Sequence, residues 1–179
     1  MKSLTGGTGD VNPQWMHLYF TPTTPGTTQT QAFITSLNRY PQRGGRATVM
    51  EILKVYWWYS DTPAVAGAAE VTKLYIGAIT TQDHGVVDVT WAFQDCIDML
   101  YIENQGAFTA AGTYMVNCEH IIVHDLTDGA GHGLLVATDT IYAQLQGGAT
   151  FATGFRAKIL YRMKNVSLTE YIGIVQAQQ

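Results

Sequence analysis

The residues best placed to do chemistry in this chain are cations. Successive side chains of an extended strand point to opposite faces. Across Phe155-Arg156-Ala157-Lys158-Ile159-Leu160-Tyr161-Arg162-Met163-Lys164, that alternation puts Arg156, Lys158, Arg162 and Lys164 on one face with Leu160. Ala157, Ile159, Tyr161 and Met163 take the other. Four of the chain's ten Lys and Arg thus stand together in a chain of net charge -4. Cations at this pitch neutralise a polynucleotide backbone without reading its sequence. The plainer alternative is a solvated strand face that discourages pairing at a sheet edge. A second basic group, Arg39, Arg43 and Arg46, surrounds Tyr40, a ring on which a base can stack; the plainer alternative is a solvated turn.

Other constellations fall short of a reaction. Cys118, His120 and His124 share one strand face, but a rise of roughly 3.3 Å per residue sets the two histidines about 13 Å apart, too far for one ion without a bulge. Gly129-Ala130-Gly131-His132-Gly133 lacks the Lys-Ser/Thr and helix of a phosphate loop and runs into Leu134-Leu135-Val136-Ala137. Asp125 and Asp128 beside it lack the ligand spacing of a calcium loop. There is no Gly-x-Ser-x-Gly; the serines are Ser3, Ser36, Ser60 and Ser167. Asp83-His84 has no partner nucleophile, and Asp88, Asp95 and Asp98 form a carboxylate cluster only if the fold gathers them. Cys96 and Cys118 have no C-x-x-C spacing and read as half-buried thiols. Neither a catalytic group, a metal site nor a cofactor is expected.

The elements that must carry the cations are strands. Ala47 to Tyr59 is the most strand-like segment: Ala47, Val49, Glu51, Leu53, Val55, Trp57 and Tyr59 alternate with Thr48, Met50, Ile52, Lys54, Tyr56 and Trp58. Both sets are largely apolar, as in a strand covered on both sides. Further strands are expected over Trp15–Phe20, Val71–Thr80, Tyr114–Asp125, Leu134–Leu145, Ala149–Met163 and Leu168–Val175. Residues 86–103 fit either a helical stripe or strands. Residues 21–31, with two prolines and no apolar anchor, read as a loop. Many strands punctuated by Gly, Pro, Asp and Asn, with at most one short helix, predict an all-β, antiparallel two-sheet sandwich, an eight-stranded single jelly roll. The expected division is a flexible arm over 1–14 and one domain over 15–179.

Composition agrees. At 179 residues the chain suits a single core. Its charged fraction of 13% is about half the usual value. Twenty-three Thr, ten Tyr and four Trp stand in its place, types that fit a pleated surface. A surface so poor in charge does little to keep copies apart, so self-association is expected. No apolar run reaches the roughly 18–20 residues of a membrane span, and the first residues lack the apolar segment of a secretory signal.

Several stretches carry a family resemblance: Asp10-Val11-Asn12-Pro13-Gln14-Trp15, Tyr40-Pro41-Gln42-Arg43, Val49 to Val55, His124 to Gly133 with Val136-Ala137-Thr138-Asp139, Leu160-Tyr161-Arg162-Met163, and Glu170 to Val175. In this order the chain resembles the capsid proteins of small circular single-stranded DNA viruses, the circovirus-like kind of environmental and marine-animal samples. The resemblance implies two four-stranded sheets and a small icosahedral shell, typically of sixty copies. It also implies that the sheet holding the first and last strands faces single-stranded DNA. Lys54 would then join Arg156, Lys158, Arg162 and Lys164 in one inner-wall patch, with the virion as the site of action and an unidentified host receptor as a further partner. Circovirus-like capsids commonly begin with a long Arg-rich arm, whereas only Lys2 precedes Arg39 here. Two other readings compete. One is a carbohydrate- or receptor-binding jelly roll acting as a small oligomer, with Trp57, Trp58 and Trp91 exposed to stack on sugars. The other is a metal-dependent small-barrel enzyme.

Overall fold

The computed structural model describes residues 12–19, 28–35, 45–60, 72–84, 92–105, 120–147 and 154–178. Among them are nine strands and one helix: β1 (Gln14–Tyr19), β2 (Thr28–Ile34), β3 (Arg46–Ser60), β4 (Thr72–Thr80), β5 (Cys96–Gln105), β6 (His120–Asp125), β7 (Leu134–Val136), β8 (Thr140–Gly147), β9 (Gly154–Ser167) and α1 (Leu168–Ala177). One sheet runs β1-β9-β3-β6, with β7 paired to β3 alongside β6; the other runs β2-β8-β4-β5. Every pairing is antiparallel. Eight strands divided between two four-stranded sheets, with β7 as an addition, make the jelly roll that the sequence predicted.

The core lies between the sheets. Leu18, Met50, Ile52, Val55, Trp57, Ile79, Ile141, Leu145 and Ile159 are fully enclosed there. Strict alternation along β3 misassigns them, because the pairing with β9 shifts register between Ile52 and Lys54. Leu53 is the extra residue of a β-bulge. Before it Met50 and Ile52 face the core; after it Val55 and Trp57 do. Ala47 and Val49 therefore face away from the sandwich, where they join Val166 and Ala137 in a second cluster under Tyr171, Ile174 and Val175 of α1.

Three expectations need correction, and one choice left open is resolved. Thr28–Ile34 is a strand, although 21–31 read as a loop: Gln29 to Phe33 pairs with β8 through the backbone, which Thr and Gln supply as well as any residue. Leu134–Leu145 is not one strand but two. β7 stays on β3, and the chain crosses at Ala137–Asp139 to become β8 in the other sheet. Of 86–103, Cys96 onward is strand, which settles against the helical stripe there. Leu168–Val175 is helical. The Ser167 hydroxyl accepts from the Glu170 backbone N–H at 3.2 Å, an N-cap that starts the helix, and Glu170 adds an acidic first turn. After the helix, the Gln178 side chain accepts from Ala137 N (3.1 Å) and donates to Leu135 O (2.7 Å), fastening the helix to the sheet. Of the expected arm over 1–14, residues 1–11 lie outside the described residues and Gln14 already belongs to β1.

Gly133, just before β7, lies close against the β3 backbone. A Cβ there would sit 2.1 Å from Ile52 O. Its N–H donates to Glu51 Oε1 at 3.1 Å. Gly133→Ala is expected to cost on the order of 2–3 kcal/mol by forcing β7 off β3, checked by urea denaturation; an unchanged midpoint would show that the loop yields freely.

Candidate functional site

The face of the β1-β9-β3-β6 sheet turned away from the core carries three cross-strand rows. From β1 to β6 they read Trp15, Leu160, Lys54, Asp125; then His17, Lys158, Tyr56, Val123; then Tyr19, Arg156, Trp58, Ile121. The bulge at Leu53 is what brings Lys54, Tyr56 and Trp58 onto this face beside the β9 cations. Cations and rings meet directly. The Arg156 guanidinium lies 5.0 Å from the centre of the Tyr19 ring and 4.6 Å from that of Trp58. Lys158 Nζ sits 3.9 Å above Trp15, which meets Tyr56 edge-on at 5.3 Å. Each exposed cation–π contact is worth about 0.5–1 kcal/mol. Above these residues is a groove of about 870 Å³, floored by Leu18, Trp57 and Ala157.

The five expected cations of this face divide into two groups. Arg162 Nε donates to Glu51 Oε2, and Lys164 Nζ lies 3.4 Å from Oε1 of the same carboxylate. Glu51 is wholly enclosed. Burial works to raise its pKa, but the Arg162 hydrogen bond, the Gly133 N–H and the charges of Lys164 and Arg162 outweigh it and hold the carboxyl below its ordinary value. Lys54 pairs with Asp125 at 2.8 Å. The Lys54 hydrogen bond, with those of Thr127, draws the Asp125 carboxyl down to about 2. Among the described residues, Arg156 and Lys158 have no carboxylate partner and rest on rings. Of the other basic group, only Arg46 is among the described residues. Arg39 and Arg43 lie outside the described residues. Arg46, exposed at the start of β3, shares the pleat face of Thr48 and Met50, opposite to Arg162 and Lys164.

Of the three tryptophans expected to stack on sugars, Trp57 is fully buried and its indole N–H donates to Asp98 Oδ2 at 2.7 Å. Trp58 is half-buried on the groove, and Trp91 lies outside the described residues. Trp15 and Tyr19 complete the groove. Sequence reasoning missed them as binding residues, although Trp15-x-His17-x-Tyr19 has the period of a strand face.

Two of the three candidate carboxylates are each engaged by a histidine. His124 Nδ1 lies 2.8 Å from Asp98 Oδ1, which joins β6 and Trp57 of one sheet to β5 of the other. His84 Nε2 lies 2.7 Å from Asp95 Oδ2, its ring stacked 4.2 Å from that of Phe93. Asp88 and Cys118 lie outside the described residues. Burial first, then the charges of Asp98 and Asp95, push the Cys96 thiol up to about 11, so it stays protonated at neutral pH. Asp128, beside the glycine loop, bonds to His132 Nδ1 at 2.9 Å and to the backbone of Ala130 and His132. These are turn-stabilising contacts. Gly129 and Gly131 both adopt positive φ there.

The strand order defines a two-sheet jelly roll, and the fold is similar to that of solved viral VP1 proteins. The chain is similar to the VP1 pentamer of human polyomavirus 6, with a TM-score of 0.59 at 12% identity over 91% of this chain and 98% of that one. It is also similar to trichodysplasia spinulosa-associated polyomavirus VP1 in complex with sialylated precision glycooligomers (0.51, 11%, covering 89% and 98%). The human polyomavirus 7 VP1 pentamer is a third (0.50, 12%, covering 90% and 100%). At these identities the likeness is one of fold. No protein-family model matches the sequence, and no curated protein does.

Proposed function

We propose that the chain is the coat subunit of a small virus, a jelly-roll capsid domain over 15–179 that assembles with copies of itself into a closed icosahedral shell. The observation that carries this reading is the jelly-roll fold, similar over nearly the whole length of VP1 proteins solved as pentamers. A surface poor in charge, with Ile34, Tyr101 and Ile172 exposed, suits contacts between copies. Sixty copies, the circovirus-like lineage, a single-stranded DNA genome and residence in the virion follow from the sequence resemblance. The sheet bearing β1 and β9 would face that genome, and its cations would contact phosphates without reading sequence.

Purified protein viewed by negative-stain electron microscopy is expected to show hollow particles of uniform size. A stable monomer by light scattering would sink the proposal. A small oligomer that binds glycans and builds no shell would favour the receptor-binding jelly roll instead. One fold neighbour was solved with sialylated glycooligomers, which gives that second reading its support.

A further inference from the structure

We infer that the groove framed by Trp15, Tyr19, Trp58, Arg156 and Lys158 takes unpaired nucleotides, stacking bases on its rings and holding the flanking phosphates with its two cations. The inference rests on the capsid reading for which polyanion the groove meets. Its chemistry comes from the groove itself.

Three observations support it. First, Arg156 and Lys158 have no carboxylate partner among the described residues, whereas Lys54, Arg162 and Lys164 are paired with Asp125 and Glu51. Arg162 and Lys164 share one carboxylate and keep a net charge of +1, whereas both cations of the groove are uncompensated among the described residues. Second, the cations lie over ring faces at 3.9 to 5.0 Å, so a short side-chain movement uncovers a ring for a base and carries the cation to an adjacent phosphate. Base stacking tolerates any sequence because every base has a π-face. A duplex buries those faces in its own stack and offers the rings nothing. Third, the described residues that line the groove are aromatic, aliphatic and basic, with no carboxylate and no side-chain amide among them. Sugar recognition calls on such groups to bond ring hydroxyls; phosphate recognition calls on cations. Its volume of about 870 Å³ lies within the range of sites that enclose a small organic ligand.

The full chain, dissociated from any particles, would be titrated with a fluorescein-labelled oligothymidylate, with a duplex of equal length and with 3'-sialyllactose, following anisotropy and tryptophan quenching. The oligothymidylate is expected to bind more tightly than the duplex. Trp58→Ala should weaken it about tenfold, Trp58→Phe should retain most of the affinity, and Arg156→Gln should weaken it as well. Phe93→Ala, which removes an exposed ring outside the groove, should leave it nearly unchanged. Equal binding of duplex, indifference to Trp58→Ala in a folded variant, or tryptophan quenching by sialyllactose in place of the oligonucleotide would overturn the inference. Particles without oligonucleotide binding would remove it and leave the capsid reading standing. Oligonucleotide binding without particles would do the reverse.

Discussion

Trp57→Ala is expected to lower the unfolding free energy by about 3–5 kcal/mol, the range for deleting a large ring from a core that cannot close around the gap. Trp57 is the largest fully enclosed side chain. It spans the sandwich: its ring lies so near β4 that a Cβ on Gly77 would stand 3.0 Å from it, and its N–H bonds Asp98 on β5. Trp57→Phe separates the two contributions. It keeps most of the ring but deprives a buried carboxylate of a donor, a loss of about 1–3 kcal/mol. Urea denaturation followed by near-ultraviolet circular dichroism reads both variants. If Trp57→Ala costs under about 1 kcal/mol, within the scatter of an ordinary substitution, the residue is not the pillar between the sheets.

Glu51→Gln comes next, at about 2–4 kcal/mol. Removing one member of a buried pair typically costs about 3–5 kcal/mol, and the partial access of Arg162 and Lys164 to water reduces it here. The variant leaves two cations facing a neutral amide beside the tight Gly133 contact. The pH dependence follows from the same geometry. Glu51 has a folded pKa below its unfolded value of about 4.3, so its contribution is present above that pH and is lost as pH falls through the depressed value. Asp125 and Asp128, both drawn down to about 2, act in the same direction. Stability against urea should therefore hold from neutrality to about pH 4.5 and decline toward pH 2, with a shallower decline in Glu51→Gln. An acid slope identical in the two proteins would contradict the assignment to Glu51.

What could be read from the residues depended on whether the signal was local. β3 and β9 announce themselves because a long β-branched and aromatic run has few other stable forms. β2 does not: Thr28 to Gln31 holds its place through the β8 backbone, and backbone partners leave no trace in side-chain type. α1 was masked by Tyr171, Ile172, Ile174 and Val175, all good strand formers, although Ser167 with Glu170 three residues on was a legible cap. The candidate site was legible in part. The common face of Arg156, Lys158, Arg162 and Lys164 follows from alternation alone. That Glu51 would engage two of them does not, since it depends on pairing between residues over a hundred positions apart. Nor could the bulge at Leu53 be seen, and with it the exchange of Trp57 for Tyr56 and Trp58 on the open face.

The contrast between an enclosed Glu51 and an open groove has a consequence for ionic strength. The screening length shrinks from about 8 Å at physiological salt to about 3 Å at 1 M, and it acts on charges in contact with solvent far more than on enclosed ones. Arg156 and Lys158 face water, while the carboxylate that anchors Arg162 and Lys164 does not. Concentrated salt should therefore strip a bound polyanion from the groove while the subunit remains folded. Release of such a ligand and unfolding of the subunit become separate operations on one sheet.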